Sequence, residues 1–217
     1  MTRLVIFDLD KTLAIVNVSF AFGKYLYQSK ALSFFSMSTL VLYYGLHKIG
    51  LIKVDLLHQM AFKRIFSKKK VAQIEHEVDQ FLKREQHTLF RSYLLELLEQ
   101  AKEEDKLVWI QSSSPACLVH PIAKLLGVQC VYASRYKVAD DGTFNSIEEV
   151  LDGQRKRKIL DVFLQKNLLS RHEVTAYSDS MLDLPLLEGV GTVVAVNPEK
   201  RLKKIALSRN WKIWEEK

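Results

Sequence analysis

Four apolar residues, Leu4 to Phe7, run without interruption near the start of the chain and stop at Asp8. Such a run is too short for a helix and fits a strand buried on both faces. From about Val16 to Gln100 the apolar positions recur at helical spacing instead, with no strand-like run bounded by turn residues. The spacing predicts roughly four or five helical elements there. One covers Val54 to Phe66, one Val71 to Arg84 with Val71, Ile74, Val78 and Phe81 on a common face, and one Leu89 to Glu103. Lys68-Lys69-Lys70 reads as a solvated turn between two of them. Ala31 to Ile52 is rich in Phe, Leu, Tyr and Val, and only His47 and Lys48 within it can carry charge. It reads either as a pair of helices in a buried bundle or as an apolar lining over a pocket. Ser33, Ser36, Ser38, Thr39, Gly45 and Gly50 interrupt it, whereas a membrane span needs about 20 strongly apolar residues in a row.

From Lys106 the pattern alternates. Leu107 to Ile110 predicts a buried strand, Pro115 opens a helix running to Leu126, and Gly127 is placed to end it. Val128 to Ala133 predicts a second strand, and Asp140-Asp141-Gly142 the turn of a small hairpin. A helix over Gly153 to Gln165, a strand over Glu173 to Tyr177, a short helix near Leu182 to Leu187 and a strand over Thr192 to Val196 follow. Strands alternating with helices imply an α/β fold whose parallel sheet is covered on both faces. The expected division is an α/β core over residues 1–15 and 87–217, with the helical block 16–86 inserted after the first strand.

The chain has 217 residues, 48% hydrophobic and 26% charged, without repeats or low-complexity tracts. That suits one good-sized folded domain carrying an insertion. Cys117 and Cys130 are too few for a disulfide framework or a metal-spaced cluster. Both are expected as buried thiols in a reducing cytoplasm. The N-terminal residues lack the long apolar core and cleavage site of a signal peptide. A net charge of +7 raises the reading of a nucleic-acid or anionic-surface binder. The basic residues are scattered over 63–70, 155–158 and 200–212 without interleaved aromatics, so neither a nucleic-acid partner nor a membrane span is expected.

Ligands of open parallel sheets bind at the carboxyl ends of the strands. Asp8 and Asp10 follow the first strand, Ser112, Ser113 and Ser114 the second, and Asp179 and Asp183 the strand ending at Tyr177. Lys156 lies in the first turn of the helix after Gly153. Lys158 competes for its role, but residues two apart lie about 200° around a helix, so only one faces the site; spacing from Gly153 favours Lys156. Singly these residues are explained as turn formers, helix caps and solvated charges. Together they supply a nucleophilic carboxylate, hydroxyls, an ammonium and a further acid pair, the parts needed to handle a phosphoryl group.

Asp8-Leu9-Asp10-Lys11-Thr12 resembles motif I, D-x-D-x-T/V, of the haloacid dehalogenase superfamily. Trp109-Ile110-Gln111-Ser112 resembles motif II, and Ser112-Ser113-Ser114-Pro115 is similar to the S-x-S-P of the phosphoserine-phosphatase-like branch, subfamily IB. Gly153-Gln154-Arg155-Lys156 resembles motif III and Tyr177 to Pro185 motif IV, followed by Val194 to Pro198. The resemblance implies a Rossmann-like core with a helical C1-type cap and a phosphomonoesterase acting through an aspartyl phosphate. It implies Asp8 as nucleophile, Asp10 as general acid and base, and Ser112, with Ser113 beside it, on a phosphoryl oxygen. Lys156 would offset charge, and Mg2+ would be held by Asp8, the backbone carbonyl of Asp10 and Asp179. Asp183 would orient waters or Lys156, and Arg64 is a candidate cap cation for an anionic substrate. Phosphoserine phosphatases of this branch carry a Glu shortly after motif I, whereas Leu13 to Ser19 here contain no acid. The substrate stays open between a small phosphorylated metabolite and a lipid-like phosphate, and a phosphotransferase of the same superfamily is the alternative activity.

Overall fold

The computed structural model describes residues 3–216. Its centre is β1 (Leu4–Asp8), all five residues buried, paired in parallel with β2 (Leu107–Pro115) on one side and β5 (Val174–Ser178) on the other. Adding β3 (Cys130–Val138), β4 (Phe144–Glu149), β6 (Thr192–Val196) and β7 (Lys212–Trp214) gives a seven-stranded sheet of order β4-β3-β2-β1-β5-β6-β7. Only the β3–β4 pairing is antiparallel among these strands.

The pleat of β1 divides the core. Leu4 and Ile6 enter one apolar layer with Leu160 of α7 (Gly153–Asn167), Leu186 and Leu187 of α8 (Leu184–Leu187) and Leu202 of α9 (Lys200–Ser208). Val5 and Phe7 enter the other with Leu98 of α5 (Ser92–Glu103) and Leu118 and Ile122 of α6 (Ala116–Leu125). That second layer continues into the helical segment between β1 and β2, made of α1 (Val18–Gln28), α2 (Phe34–Lys48), α3 (Val54–Ala61) and α4 (Val71–Leu89). There Phe22, Phe66 and Phe81 are fully buried and in ring contact.

The fold departs from the sequence pattern at identifiable places. No helix begins at Leu89: α4 runs to that residue, Phe90 is extended, and α5 starts at Ser92. The break is required because Ile15 N–H donates to Leu89 O and Arg91 N–H to Leu13 O, which holds the two connections of the helical segment antiparallel at Ala14 and Phe90. Ala31 to Ile52 is not a buried helix pair. It contains the single helix α2, whose Phe34, Phe35 and Leu42 are exposed. Among the described residues no helix is long and apolar enough to cross a membrane. The Lys68-Lys69-Lys70 turn is backbone-paired to the β3–β4 hairpin, through Lys68 N–H to Phe144 O and Val71 N–H to Gly142 O. Cys130 is exposed, contrary to expectation, and Cys117 is half-buried with its thiol pKa pushed up to about 12 by burial. The elements α9 and β7 were not in the pattern at all.

Candidate active site

The side chains at the carboxyl end of the sheet meet because of strand parity and one glycine. Asp8 has the parity of Leu4 and Ile6, so it faces the layer covered by α7. Helix α7 starts at Gly153, capped by Asp152, which accepts from Arg155 N–H at 2.9 Å. A Cβ at Gly153 would collide with the Leu182 carbonyl, so only glycine lets this helix end approach the loop after β5. One turn on, Lys156 is 1% exposed and its Nζ donates to Asp8 Oδ1 at 2.7 Å and Asp183 Oδ2 at 2.9 Å. Lys158 is exposed. Gly153→Ala is therefore expected to tilt α7 away, lowering kcat by about 100-fold and stability by about 1–3 kcal/mol, the usual cost of overpacking; turnover and urea unfolding of the variant check it.

Asp10 is two residues further, in a loop where Lys11 has a positive φ of 60° and its N–H reaches Val16 O. Its carboxylate accepts three hydrogen bonds: Val18 N–H to Oδ1 at 2.7 Å, and the Ser112 and Ser114 hydroxyls to Oδ2 at 2.7 and 2.8 Å. The first of these ties Asp10 to the N-terminus of α1. Asp179 N–H donates to Thr12 Oγ1 at 3.0 Å, which joins the loops after β1 and β5. Ser178 donates to Asp183 at 2.8 Å, and Glu199 accepts from Met181 N–H at 2.9 Å.

The charges are unbalanced. Burial pushes the Asp8 carboxyl well above its usual value; Lys156 opposes this, and Asp183, Asp10 and Asp179 add to it. Burial by itself would lower the Lys156 ammonium, but Asp183 and Asp8 outweigh it and hold the lysine above its usual range, charged at neutral pH. Four carboxyl groups around one buried ammonium suit a further cation. Among the described residues no three acidic, His or Cys side chains converge as a metal cluster. Two carboxylates and a backbone carbonyl, completed by water, are nevertheless a donor set that hard Mg2+ accepts.

These groups floor a cavity of about 790 Å3 roofed by the helical segment. Asp8, Asp10, Ser113, Ser114, Lys156 and Asp179 line it. Ser112, expected on a phosphoryl oxygen, is fully buried with its hydroxyl on Asp10 and does not line the cavity, because β2 is irregular between Ser112 and Pro115 and turns Ser113 and Ser114 to the wall. Arg64 also lies outside the lining, its guanidinium 5.2 Å from the Phe35 ring centroid. Ser114 enters the sequence reading only as part of the serine cluster after the second strand, and Thr12, Ser178 and Glu199 have no site role there. Thr12 and Ser178 sit inside the quoted motifs, and Glu199 has no signal. His58, on α3, also lines the cavity; burial pushes its imidazole down, Asp10 and Asp55 oppose this, and His47 adds to it.

Asp8, Asp10, Asp179 and Asp183 thus gather with the buried Lys156 ammonium beneath a helical roof, at the carboxyl end of a parallel sheet. The family model for haloacid dehalogenase-like hydrolases matches residues 5–188, and the chain belongs to that family. It is 38% identical over 118 residues to a Streptomyces azureus "Inhibition of morphological differentiation protein", covering 54% of this chain and 43% of that one. To a phosphoserine phosphatase of Mycobacterium tuberculosis (strain H37Rv) it is 34% identical over 122 residues, 54% of this chain and 39% of that one. The match thus spans less than half the length of these two relatives. A histidinol-phosphatase of Neisseria meningitidis serogroup C is 25% identical over 221 residues, 98% of each chain. A solved phospho-aspartyl intermediate analogue of phosphoserine phosphatase shares the fold, with a TM-score of 0.74 at 16% identity over 100% of this chain and 94% of that one.

Proposed function

We propose that this chain hydrolyses phosphomonoesters through an aspartyl phosphate on Asp8, using Mg2+. The observation that carries the reading is the buried Asp8 carboxylate at the cavity floor, one oxygen held by Lys156 at 2.7 Å, with Asp10 two residues on. The free carboxylate oxygen attacks phosphorus while the bond to the ester oxygen breaks, and Asp10 gives that oxygen its proton. Asp10, now ionised, takes a proton from water; the water oxygen bonds to phosphorus, the acyl-phosphate bond breaks, and inorganic phosphate leaves with Asp8 restored. Lys156 offsets charge at Asp8, Asp183 positions Lys156, and Ser113 meets a phosphoryl oxygen. Ser112 and Ser114 hold Asp10 in place. When bound by Asp8, Asp179 and the Asp10 carbonyl, Mg2+ would supply the positive charge that lets anionic ester and anionic nucleophile approach.

Residues 16–86 act as a cap, moving on the paired connections at Ala14 and Phe90 and excluding water from the phosphoenzyme. A reducing cytoplasm suits two free cysteines, one exposed.

Release of free phosphate from p-nitrophenyl phosphate with Mg2+, abolished by EDTA, tests the reading. Transfer of the phosphoryl group to an alcohol without free phosphate would make the chain a phosphotransferase instead. Asp10→Asn is expected to lower turnover by about 100- to 10,000-fold, the range for general acid–base groups, and to leave phosphorylated enzyme detectable by mass spectrometry after quenching. Unchanged turnover removes Asp10 from the mechanism.

A further inference from the structure

We propose that the organic part of the substrate is an apolar chain, held under the helical roof with its free end leaving at the turn between α2 and α3. This inference rests on the phosphomonoester reading above.

The cavity has two chemistries. Its floor carries the acids, serines and lysine that meet the phosphoryl group, and its roof is built from Phe20, Met37, Leu40, Tyr44, Leu57 and Ile65. A volume of about 790 Å3 lies in the upper part of the range for drug-sized ligands, about 300–1,000 Å3. An amino-acid-sized phosphomonoester would leave much of it empty. Gly23 stands in the middle of α1, where glycine is disfavoured. A Cβ there would meet Ile65 at 3.5 Å and Leu40 at 3.7 Å, ordinary contacts, so close packing does not demand the glycine. Its effect is to leave room in the cavity wall.

Charged groups are sparse on the roof, while Lys11, Glu199 and Arg201 line the cavity from the α/β core. Among the described residues of the helical segment, the charged lining groups are Lys53 and Asp55, both exposed. Arg64 stacks over Phe35 instead of reaching inside. His47 pairs with the Ile52 carbonyl at 3.2 Å, and burial favours the neutral form of His58.

The apolar lining continues to the outside. Ile49 lines the cavity and is 70% exposed, and Leu51 beside it is 68% exposed. An apolar path from catalytic floor to surface fits a long-chain alkyl, acyl or isoprenoid phosphate. The phosphate is held at the acids, and the chain is withdrawn from water along the roof.

Alkylphosphonates, whose C–P bond this chemistry does not cleave, test the inference by calorimetry in the presence of Mg2+. From ethyl to dodecyl the Kd is expected to tighten roughly two- to fourfold per added methylene until the roof is covered. Ile49→Glu, at an exposed position that leaves the core intact, should weaken dodecylphosphonate binding at least about tenfold, a loss equivalent to two or so methylenes. Gly23→Leu should stop the gain at a shorter chain. A Kd independent of chain length, or one that tightens identically in both variants, overturns the inference whatever the turnover. Tightening with chain length in a protein that releases no phosphate from p-nitrophenyl phosphate overturns the hydrolase reading alone.

Discussion

Replacing Asp8 with Asn is expected to reduce phosphate release by at least about 10,000-fold, the scale on which removal of a covalent nucleophile acts. The expectation rests on geometry that the substitution preserves. Asparagine has the shape of aspartate, its amide oxygen can still accept from Lys156 Nζ, and that ammonium keeps Asp183 as its ion-pair partner at 2.8 Å. The position is 5% exposed and its neighbours are already placed by β1 pairing, so the fold has no reason to rearrange. What disappears is the nucleophile, because an amide neither attacks phosphorus effectively nor leaves as a carboxylate. Turnover and a urea unfolding curve, measured on the same preparation, separate loss of chemistry from loss of structure. Activity within tenfold of the parent protein would remove Asp8 from the nucleophilic role.

The legible parts of this molecule are those where a single constraint acts on neighbouring residues. A strand buried on both faces must be continuously apolar, so Leu4 to Phe7 announced β1, and the acids at its end announced the site. A helix turns a fixed angle per residue, so Lys156 and Lys158 could not both face the site, and the spacing from Gly153, in a stretch that resembles motif III, favoured Lys156. Residues brought together across long sequence separations were harder. Asp10 and the Ser112 and Ser114 hydroxyls are 102 and 104 positions apart, and nothing local says that these serines donate to the acid. Of the two readings of Ala31 to Ile52, the structure supports the pocket lining, through Met37, Leu40 and Tyr44, and not the buried helix pair, because apolar spacing reports that a face leaves water or lines a cavity without telling which. Arg64 shows the same limit, since a cation above an aromatic ring and one reaching a substrate have the same sequence. Helix α9 escaped because Lys200, Arg201, Lys203 and Lys204 crowd its nine residues and only Leu202 and Ala206 are buried.

Lys156→Met is expected to cost about 3–5 kcal/mol of unfolding free energy in EDTA, the usual penalty for removing one partner of a buried ion pair. Methionine matches the length of the lysine stem, so the loss is electrostatic and not steric. It leaves Asp8 and Asp183, 5% and 4% exposed, without the only cation either contacts through a direct ion pair among the described residues. Because the folded-state pKa of Lys156 is raised, its contribution is complete below the usual lysine value and is lost only as pH rises above it. At neutral pH the whole effect is therefore present. Adding Asp183→Asn to Lys156→Met should recover part of the stability, since one uncompensated carboxylate is removed and Ser178 can still donate to the amide oxygen. It should not recover turnover, because the charge on Asp8 remains unopposed when a phosphate approaches. This combination distinguishes an electrostatic role from a packing role, in which the second substitution would add its own loss. A Lys156→Met protein unfolding within about 1 kcal/mol of the parent, the scatter of ordinary surface changes, would mean that the two acids are not held as a charged pair, and the account of this site would have to be rebuilt around a neutral Asp8.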